Sequence, residues 1–584
     1  MLQEDSRAAE RGRPPPAAAQ WHDMKPETVY RRGAFSISNL RATRLRVSHP
    51  AQVGKRFVLD GHVSLEVRCV DRVLLNAYVP TLQVAGQVVR FLTDHLGNPV
   101  PSPALFCQIG NRFVRQVRAF AAVNDIPILR LNKPDRSRWD DRKVDHVRPY
   151  VDAAAADGRF GVVAIVFTQE FQWVFSGRNR SSTPGVASFE FTKSSRRVGT
   201  FYFYVLDREF GLGFIKICTH FPYPAKVWVN GHEWAKRQAD HAAIGYTALA
   251  NGFASCDDPA ALQQICDRFG PADVQGFFDR WTARFPTPFT VDDRRAGYWW
   301  ELSMRHVEVS ITMVLDGPRR AGAFFEALVA DNVGIGRPDE VHVVFGRGRR
   351  GRTTSKQFRT RIFNPGTEVR IDFAYKNSRV KQYLKEGRAF RIETVINKSS
   401  DVGVLARLEH LPDLIGKARE VNHRLLMIER AGQGCAIGDD LFDRLHQPYI
   451  REGQRTGAFR FGDPRATALT GALCNVVHAV TGFTNKSLRG LVSGLLGCDY
   501  SANQMSYDLR RLRRHGLIAK IPGPNTYRTT PDGIRAAVFY TKVRTRLLDS
   551  ADQPPAPIEL RRALATIDRT IDTYITNARL GTAA

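Results

Sequence analysis

The sequence predicts an α+β protein: a mixed or antiparallel sheet body with helical insertions, followed by a small helix–turn–helix–hairpin–helix unit. Three observations lead there. Six β-rich runs follow one another between Phe160 and Trp228 with only short turns between them. Helical periodicity brackets that block on both sides. Across residues 482–549 the pattern shortens into amphipathic segments and a turn-rich hairpin.

Taken in order, residues 1–50 read as a disordered tail rich in Arg, Pro and Ala, without the apolar stretch of a secretory signal. Residues 51–400 form the body. Its first β signal is VSLEVRCVDRVLLNAYVP, and helical segments at VAGQVVRFLTDHLG and residues 112–123 follow. With the strand IPILRL, the first 150 residues alternate in an α/β manner. After the six β runs, residues 232–285 read as helical and 299–314 as a strand. RAGAFFEALVADN is a helix, and residues 341–345, 369–373, 379–383 and 390–396 are further strands. Residues 401–465 form a helical connector and 466–549 the C-terminal unit. A DQPPAP linker and a last helix occupy 550–584.

Charge narrows the choice of partner. The 584 residues carry a net charge of +27, which points to a polyanion. The excess is local: residues 341–400 hold 15 Lys/Arg against 4 Asp/Glu, and 482–548 hold 12 against 3. Two separate cationic surfaces are therefore expected, one on the body's last strands and one on the C-terminal unit. Eight cysteines are scattered without metal-ligand spacing, as in a reducing cytoplasm. No apolar run reaches the roughly 18 residues that span a bilayer, so no membrane partner is expected.

In the C-terminal unit, Leu488, Leu491 and Leu495 give one helix an apolar stripe; Met505, Leu509 and Leu512 give the next one. Gly516 sits where a helix end favours positive φ. Pro522 to Asn525 then punctuates the runs IAKI and YRTT as a hairpin tip. This order resembles a winged helix-turn-helix, and LRRLRRHGLI…YRTTPDG resembles the recognition helix and wing of MarR- or ArsR-type DNA binders. By that resemblance Asn503, Gln504, Ser506 and Tyr507 would face base edges. Arg510, Arg511, Arg513, Arg514, Lys520 and Arg528 would meet phosphates. The alternative is a solvated basic helix face.

Two constellations could carry chemistry. In VKQYLKEGRAFRIE a tight hairpin would put Lys381, Tyr383 and Lys385 on one strand face, opposite Arg391 and Glu393. A tyrosine, lysines and a carboxylate suit strand cleavage with a divalent cation. The Y-x-K…R-x-E spacing resembles a stretch of plasmid rolling-circle replication initiators. The resemblance implies Tyr383 as nucleophile, with Lys385 beside it, and Glu393 as metal ligand. The alternative is a basic strand pair that grips a phosphate backbone without cutting it. The second set is Asp71, interrupting an apolar strand, with Glu209 in a turn; meeting Glu393 in space, they would suit a metal-dependent nuclease using Mg²⁺ or Mn²⁺. GRGRRGR has the GxGxxG spacing, but no apolar helix follows it. It reads as a phosphate-contacting loop through Arg347, Arg349, Arg350 and Arg352. HEWAK lacks the second histidine of HExxH and reads as a turn histidine leading into a helix.

The ordered motifs DRVLLNAYVP, LDREFGLGFIKI…FPYPAKVWVNGHEWAKR and VKQYLKEG…FRIETVIN, with the winged end, are similar to a bacterial family whose members carry transposase-like or MarR-like labels. Its YDK-type motif reads Tyr383-Leu384-Lys385 here. The expectation is a cytoplasmic DNA-binding protein of a mobile element or plasmid, a replication initiator or transposase-like nickase. The rival is a non-enzymatic, homodimeric regulator with a large sensor or scaffold body. A third reading makes Phe201, Tyr202, Phe203 and Tyr204 an RNA-binding face, which requires exposed rings.

Overall fold

The structure, a computed structural model, describes residues 61–131, 139–182, 188–334, 340–345, 359–364, 370–434, 439–451, 454–460, 463–474, 478, 482–522 and 525–543. The predicted N-terminal tail, the last linker and helix, and the GRGRRGR loop with Arg347, Arg349, Arg350 and Arg352 lie outside the described residues.

One sheet organises the chain. Its strands are β1 (Val63–Tyr78), β2 (Ile128–Arg130), β3 (Gly161–Asn179), β4 (Phe189–Asp207), β5 (Gly211–Cys218) and β6 (Ala225–Asn230). A separate two-stranded hairpin follows, β7 (Tyr246–Leu249) with β8 (Gly252–Cys256). The large sheet continues with β9 (Glu301–Leu315), β10 (Glu340–Phe345), β11 (Arg359–Asn364), β12 (Arg370–Tyr375), β13 (Ser378–Lys385) and β14 (Ala389–Ile396). Its order is β10-β11-β12-β13-β14-β9-β1-β6-β5-β4-β3-β2. Neighbours are antiparallel except at the two margins, β10 with β11 and β2 with β3. The α/β alternation expected of the first 150 residues therefore resolves differently. β1 is central and β2 marginal in one mostly antiparallel sheet, which is the α+β arrangement.

Strict alternation gives the sheet two chemically different faces. On one face Leu75, Val227, Ile215 and Phe203 form an apolar row across β1, β6, β5 and β4. Ile311, Ile392 and Ile371 continue that chemistry on β9, β14 and β12. Helices Ala104–Val123, Pro271–Thr282, Pro318–Gly334 and Leu411–Gly434 contribute to the cores built on it. The opposite face carries Ser310, Glu393, Lys381 and Asp372 in one row across β9, β14, β13 and β12. The aromatic run Phe201 to Tyr204 is buried on both faces, which removes the exposed-ring reading.

Between residues 231 and 285 the helical expectation is interrupted. The helix Gly231–His241 ends before the β7–β8 hairpin, whose apolar Leu249 and Phe253 join the core. Residues 441–540 have a core of their own, with helices Asn485–Leu496 and Ala502–Arg514, a hairpin of Ile518–Lys520 with Tyr527–Thr529, and the helix Pro531–Val543. Gly516 adopts φ +76° at the expected helix end. Among the described residues no helix is long and apolar enough to cross a membrane.

Beneath the helix Trp139–Ala156, Glu170 is caught between two lysines. Lys143 Nζ donates to Glu170 Oε1 at 2.5 Å, Tyr202 donates to the same oxygen at 2.6 Å, and Lys216 donates to Oε2. Burial opposes ionisation, yet Lys216 and Lys143 prevail and lower this carboxyl to about 2. We predict that Glu170→Gln, which strands both lysines, destabilises the fold by about 3 kcal/mol or more. The wild-type contribution is present above the unfolded carboxylate range and is lost as pH falls from about 4.5 toward 2. Urea melts at pH 7 and pH 3 check both points: the difference between the proteins must shrink at the lower pH.

Candidate functional site

The polar face gathers its charges where β1, β9, β14 and β13 adjoin. Asp71 owes its place to a β-bulge. Val70 pairs with Val309 and Arg72 with Glu308, so Asp71 is the extra residue, freed from the alternation of β1. The β13–β14 hairpin turns through Glu386 and Gly387, both at positive φ, and pairs Lys381 with Glu393 and Tyr383 with Arg391. The alternation expected for this hairpin is the one found. Lys385 lies at its end, half-buried, and burial lowers its pKa.

Arg391 is the anchor. Its guanidinium is 1% exposed and donates to Asp71 Oδ2, to the carbonyl of Asn251 and, at 2.9 Å, to Ser310 Oγ. Ser310 Oγ in turn donates to Asp71 Oδ1 at 2.6 Å. His232 Nε2 lies 2.6 Å from that same oxygen. Burial and the Arg391 charge lower the imidazole pKa despite Asp71, so His232 serves as a neutral N–H donor. Burial works against ionisation of Asp71 too, but Arg391 above all holds the carboxyl below its ordinary value.

His232 reaches Asp71 because of the two residues before it. Asn230 accepts hydrogen bonds from the amides of His232 and Glu233 and so starts the helix. At Gly231 a Cβ would stand 2.1 Å from the carbonyl oxygen of Val70, so only glycine lets the helix approach β1 this closely. The NGHEW segment read as a turn histidine is thus a buried support for Asp71.

Two more carboxylates face Asp71. Glu308 Oε1 is 3.0 Å from His306 Nε2 and 3.7 Å from Lys381 Nζ, while Oε2 is 3.8 Å from Arg72 Nε. Burial opposes its ionisation, but His306 and Lys381 lower it to about 2. Glu393 accepts from Lys381 Nζ and, at 2.8 Å, from the Tyr383 hydroxyl. Burial raises its pKa, and Lys381 more than offsets this, so it too lies below its ordinary value. One oxygen from each of Asp71, Glu308 and Glu393 lies within 4.8 Å of the other two, and this buried triad could hold a metal ion. Arg72, Asn251, Arg370, Lys381, Tyr383 and Arg391 complete the lining of a cavity of about 180 Å³. No family model, no curated protein and no solved structure matches the chain.

The third acid is a correction. Glu209, grouped with Asp71 and Glu393 from the sequence, sits in the β4–β5 turn and pairs with Arg280 at 3.2 Å. There it flanks Asp207, which accepts from Trp281 Nε1 at 2.8 Å. Glu308 takes the expected place. Its signal in the sequence was a lone acid in the apolar strand MRHVEVSITMVL, the same signal that marked Asp71.

On the C-terminal unit, Asn503, Gln504, Ser506, Tyr507, Arg510, Arg513, Lys520 and Arg528 are exposed, and Arg514 is half-buried. Gln504 caps its own helix, its Oε1 accepting from the Ser501 amide at 2.8 Å. Ser506 accepts from Asn485 Nδ2 at 2.9 Å. Arg528 lies 3.6 Å from Glu420. Arg511 departs from the phosphate role expected of it. It turns inward, lies 3.9 Å over the Phe459 ring and donates to the carbonyls of Gly457, at 3.0 Å, and Ala458. Helical spacing puts it on the buried face with Asp508, Leu509 and Leu512.

We predict that Gly231→Ala destabilises the protein by about 3 kcal/mol, because the clash is with backbone and outweighs the roughly 1 kcal/mol gain in helix propensity. Urea denaturation decides it; equal or greater stability would show that the helix can shift away from β1.

Proposed function

We propose that this chain is a DNA-binding protein of the mobile-element or plasmid type that cuts a DNA strand at the Asp71–Glu308–Glu393 cluster with Mg²⁺ or Mn²⁺. The observation that carries this reading is the convergence of three buried carboxylates beside Arg72, Arg370 and Lys381 in one cavity. Three carboxylate oxygens form a hard donor set, which suits Mg²⁺ or Mn²⁺ rather than a thiophilic metal. Such an ion supplies Lewis-acid stabilisation of the phosphoryl oxygens and an activated water. Arg72 and Arg370 would hold the scissile phosphate. Tyr383 would orient Glu393 through its hydrogen bond rather than attack. Burial and the neighbouring Glu393 charge hold its phenol protonated although Arg391 pulls the other way. The C-terminal unit, read as a winged helix, would bring duplex DNA through Asn503, Tyr507, Arg510 and Arg513.

A second reading rests on a specific observation: each carboxylate already has a cation, Asp71 with Arg391, Glu308 with Arg72, and Glu393 with Lys381. The cluster would then be an ion-paired pin in the body of a non-enzymatic, homodimeric winged-helix regulator.

The two readings separate on metal binding. Isothermal titration with Mn²⁺, and cleavage of supercoiled and single-stranded DNA, should show binding and nicking in the wild type. Glu308→Gln should lower nicking at least a hundredfold and weaken Mn²⁺ binding. Tyr383→Phe should slow nicking without abolishing it, and no protein–DNA adduct should form. An adduct lost in Tyr383→Phe would make the tyrosine the nucleophile. Absence of any Mn²⁺ binding would leave the regulator. Arg510→Ala and Arg513→Ala should each weaken duplex binding and reduce the salt slope by about one.

A further inference from the structure

The β3–β4 hairpin carries an exposed aromatic pair that the core does not use. Phe171 and Trp173 are 73% and 63% exposed, although their same-face neighbours Phe167 and Phe175 pack against Phe201 and Phe221. Large apolar rings held in the open on a paired strand point to a ligand surface. Two residues apart on β3, their side chains project from the same face. Their Cα atoms are separated by about 6.8 Å, twice the roughly 3.4 Å rise of stacked bases.

The surroundings of the pair are basic and rigid. Across the ladder Phe171 is paired with Arg197 and Trp173 with Ser195. Arg197 is exposed, and among the described residues its side chain has no hydrogen bond or ion pair. Lys193, paired with Phe175, shares that face, while Arg178 and Arg196 project from the opposite one; over residues 171–182 and 188–198 the hairpin holds five Lys/Arg against a single acid, Glu190, which pairs with Arg180. The hairpin is tied down on both strands. From β4, Lys193 Nζ donates to Gln83 Oε1 outside the hairpin at 2.6 Å, and Arg196 braces β4 against β3 by donating to Ser176 Oγ at 3.0 Å. Phe175 and Phe191 enter the core. The rings therefore stand on a fixed platform, as sequence-tolerant stacking on unpaired bases requires.

We propose that this hairpin grips single-stranded DNA, with unpaired bases stacking on Phe171 and Trp173 while Arg197 beside them meets the phosphates. The class of polyanion rests on the DNA reading above; the preference for an unpaired strand is new. A duplex hides its base faces and offers such rings nothing to stack on.

The test is fluorescence anisotropy of the full chain with a dye-labelled pyrimidine strand of about 20 nucleotides, longer than the roughly 4–16 nucleotides that comparable folds cover. A duplex of the same length is the control. Phe171→Ala/Trp173→Ala should weaken single-strand binding at least tenfold and leave duplex binding within twofold. Trp173→Phe should retain most of the affinity, and Arg197→Gln should reduce the salt slope by about one. An unchanged melting temperature confirms that each variant is folded. Unchanged single-strand affinity in the double variant, or an equal loss for both DNA forms, would overturn the proposal. Glu308→Gln keeps this test apart from the cleavage reading, because it should leave single-strand binding intact. Ring-dependent binding without any cleavage would keep the grip and reject the nuclease. Cleavage that is indifferent to the rings, with unchanged binding, would do the reverse.

Discussion

Much of the body depends on one buried ion pair, Arg391 with Asp71. A guanidinium in the interior of a sheet is tolerable only with its charge matched and its N–H groups accepted. Asp71, Ser310 and the Asn251 carbonyl match its charge and accept from its two terminal nitrogens, and only the buried Nε has no partner. The pair spans β14 and β1 with β9 between them, so it ties three strands laterally. It also draws in the helix that carries His232 and the loop that carries Asn251. Deleting either charge would leave the other stranded, a loss of about 3–5 kcal/mol.

That constraint explains why the two sheet faces differ so sharply. On the face covered by the helices Ala104–Val123, Pro271–Thr282, Pro318–Gly334 and Leu411–Gly434 the sheet buries Ile, Val and Phe at little specificity cost. The opposite face near β9 and β14 concentrates charge, and each carboxylate is stabilised by the cation beside it. Three acids and three close cations balance, so the cluster is neutral as it stands. Any divalent ion entering it must compete with Lys381, which already lies between Glu393 and Glu308. The same balance keeps all three carboxylates ionised well below neutral pH. They are thus available as ligands without a proton having to leave.

The basic surplus is arranged differently. On the C-terminal unit it lies along the exposed side of one helix, whose other side is closed by Asp508. That carboxylate accepts from Tyr500 and from Arg465 at 2.9 Å. On the β3–β4 hairpin Arg197 sits beside uncovered aromatic rings. Charge alone attracts any polyanion; charge next to a fixed apolar surface discriminates among them.

The sequence by itself determined whatever depends on near neighbours. Period-two alternation placed Lys381, Tyr383 and Lys385 on one strand face and faced them with Arg391 and Glu393, since a short turn leaves one register available. Helical period gave the stripe Met505, Leu509 and Leu512, and the need for positive φ gave Gly516. Tertiary structure decided whatever depends on which distant strands adjoin. Glu308, not Glu209, meets Asp71 and Glu393, because β9 lies between β1 and β14 while the β4–β5 turn belongs to another part of the sheet. Arg511 turns inward because the carbonyls of residues 457 and 458 accept it, with Asp508 3.9 Å away on the same helix, and nothing local announces those two carbonyls. Periodicity assigns a side chain to a face; only the assembled sheet decides what that face meets, because strand order joins residues hundreds of positions apart.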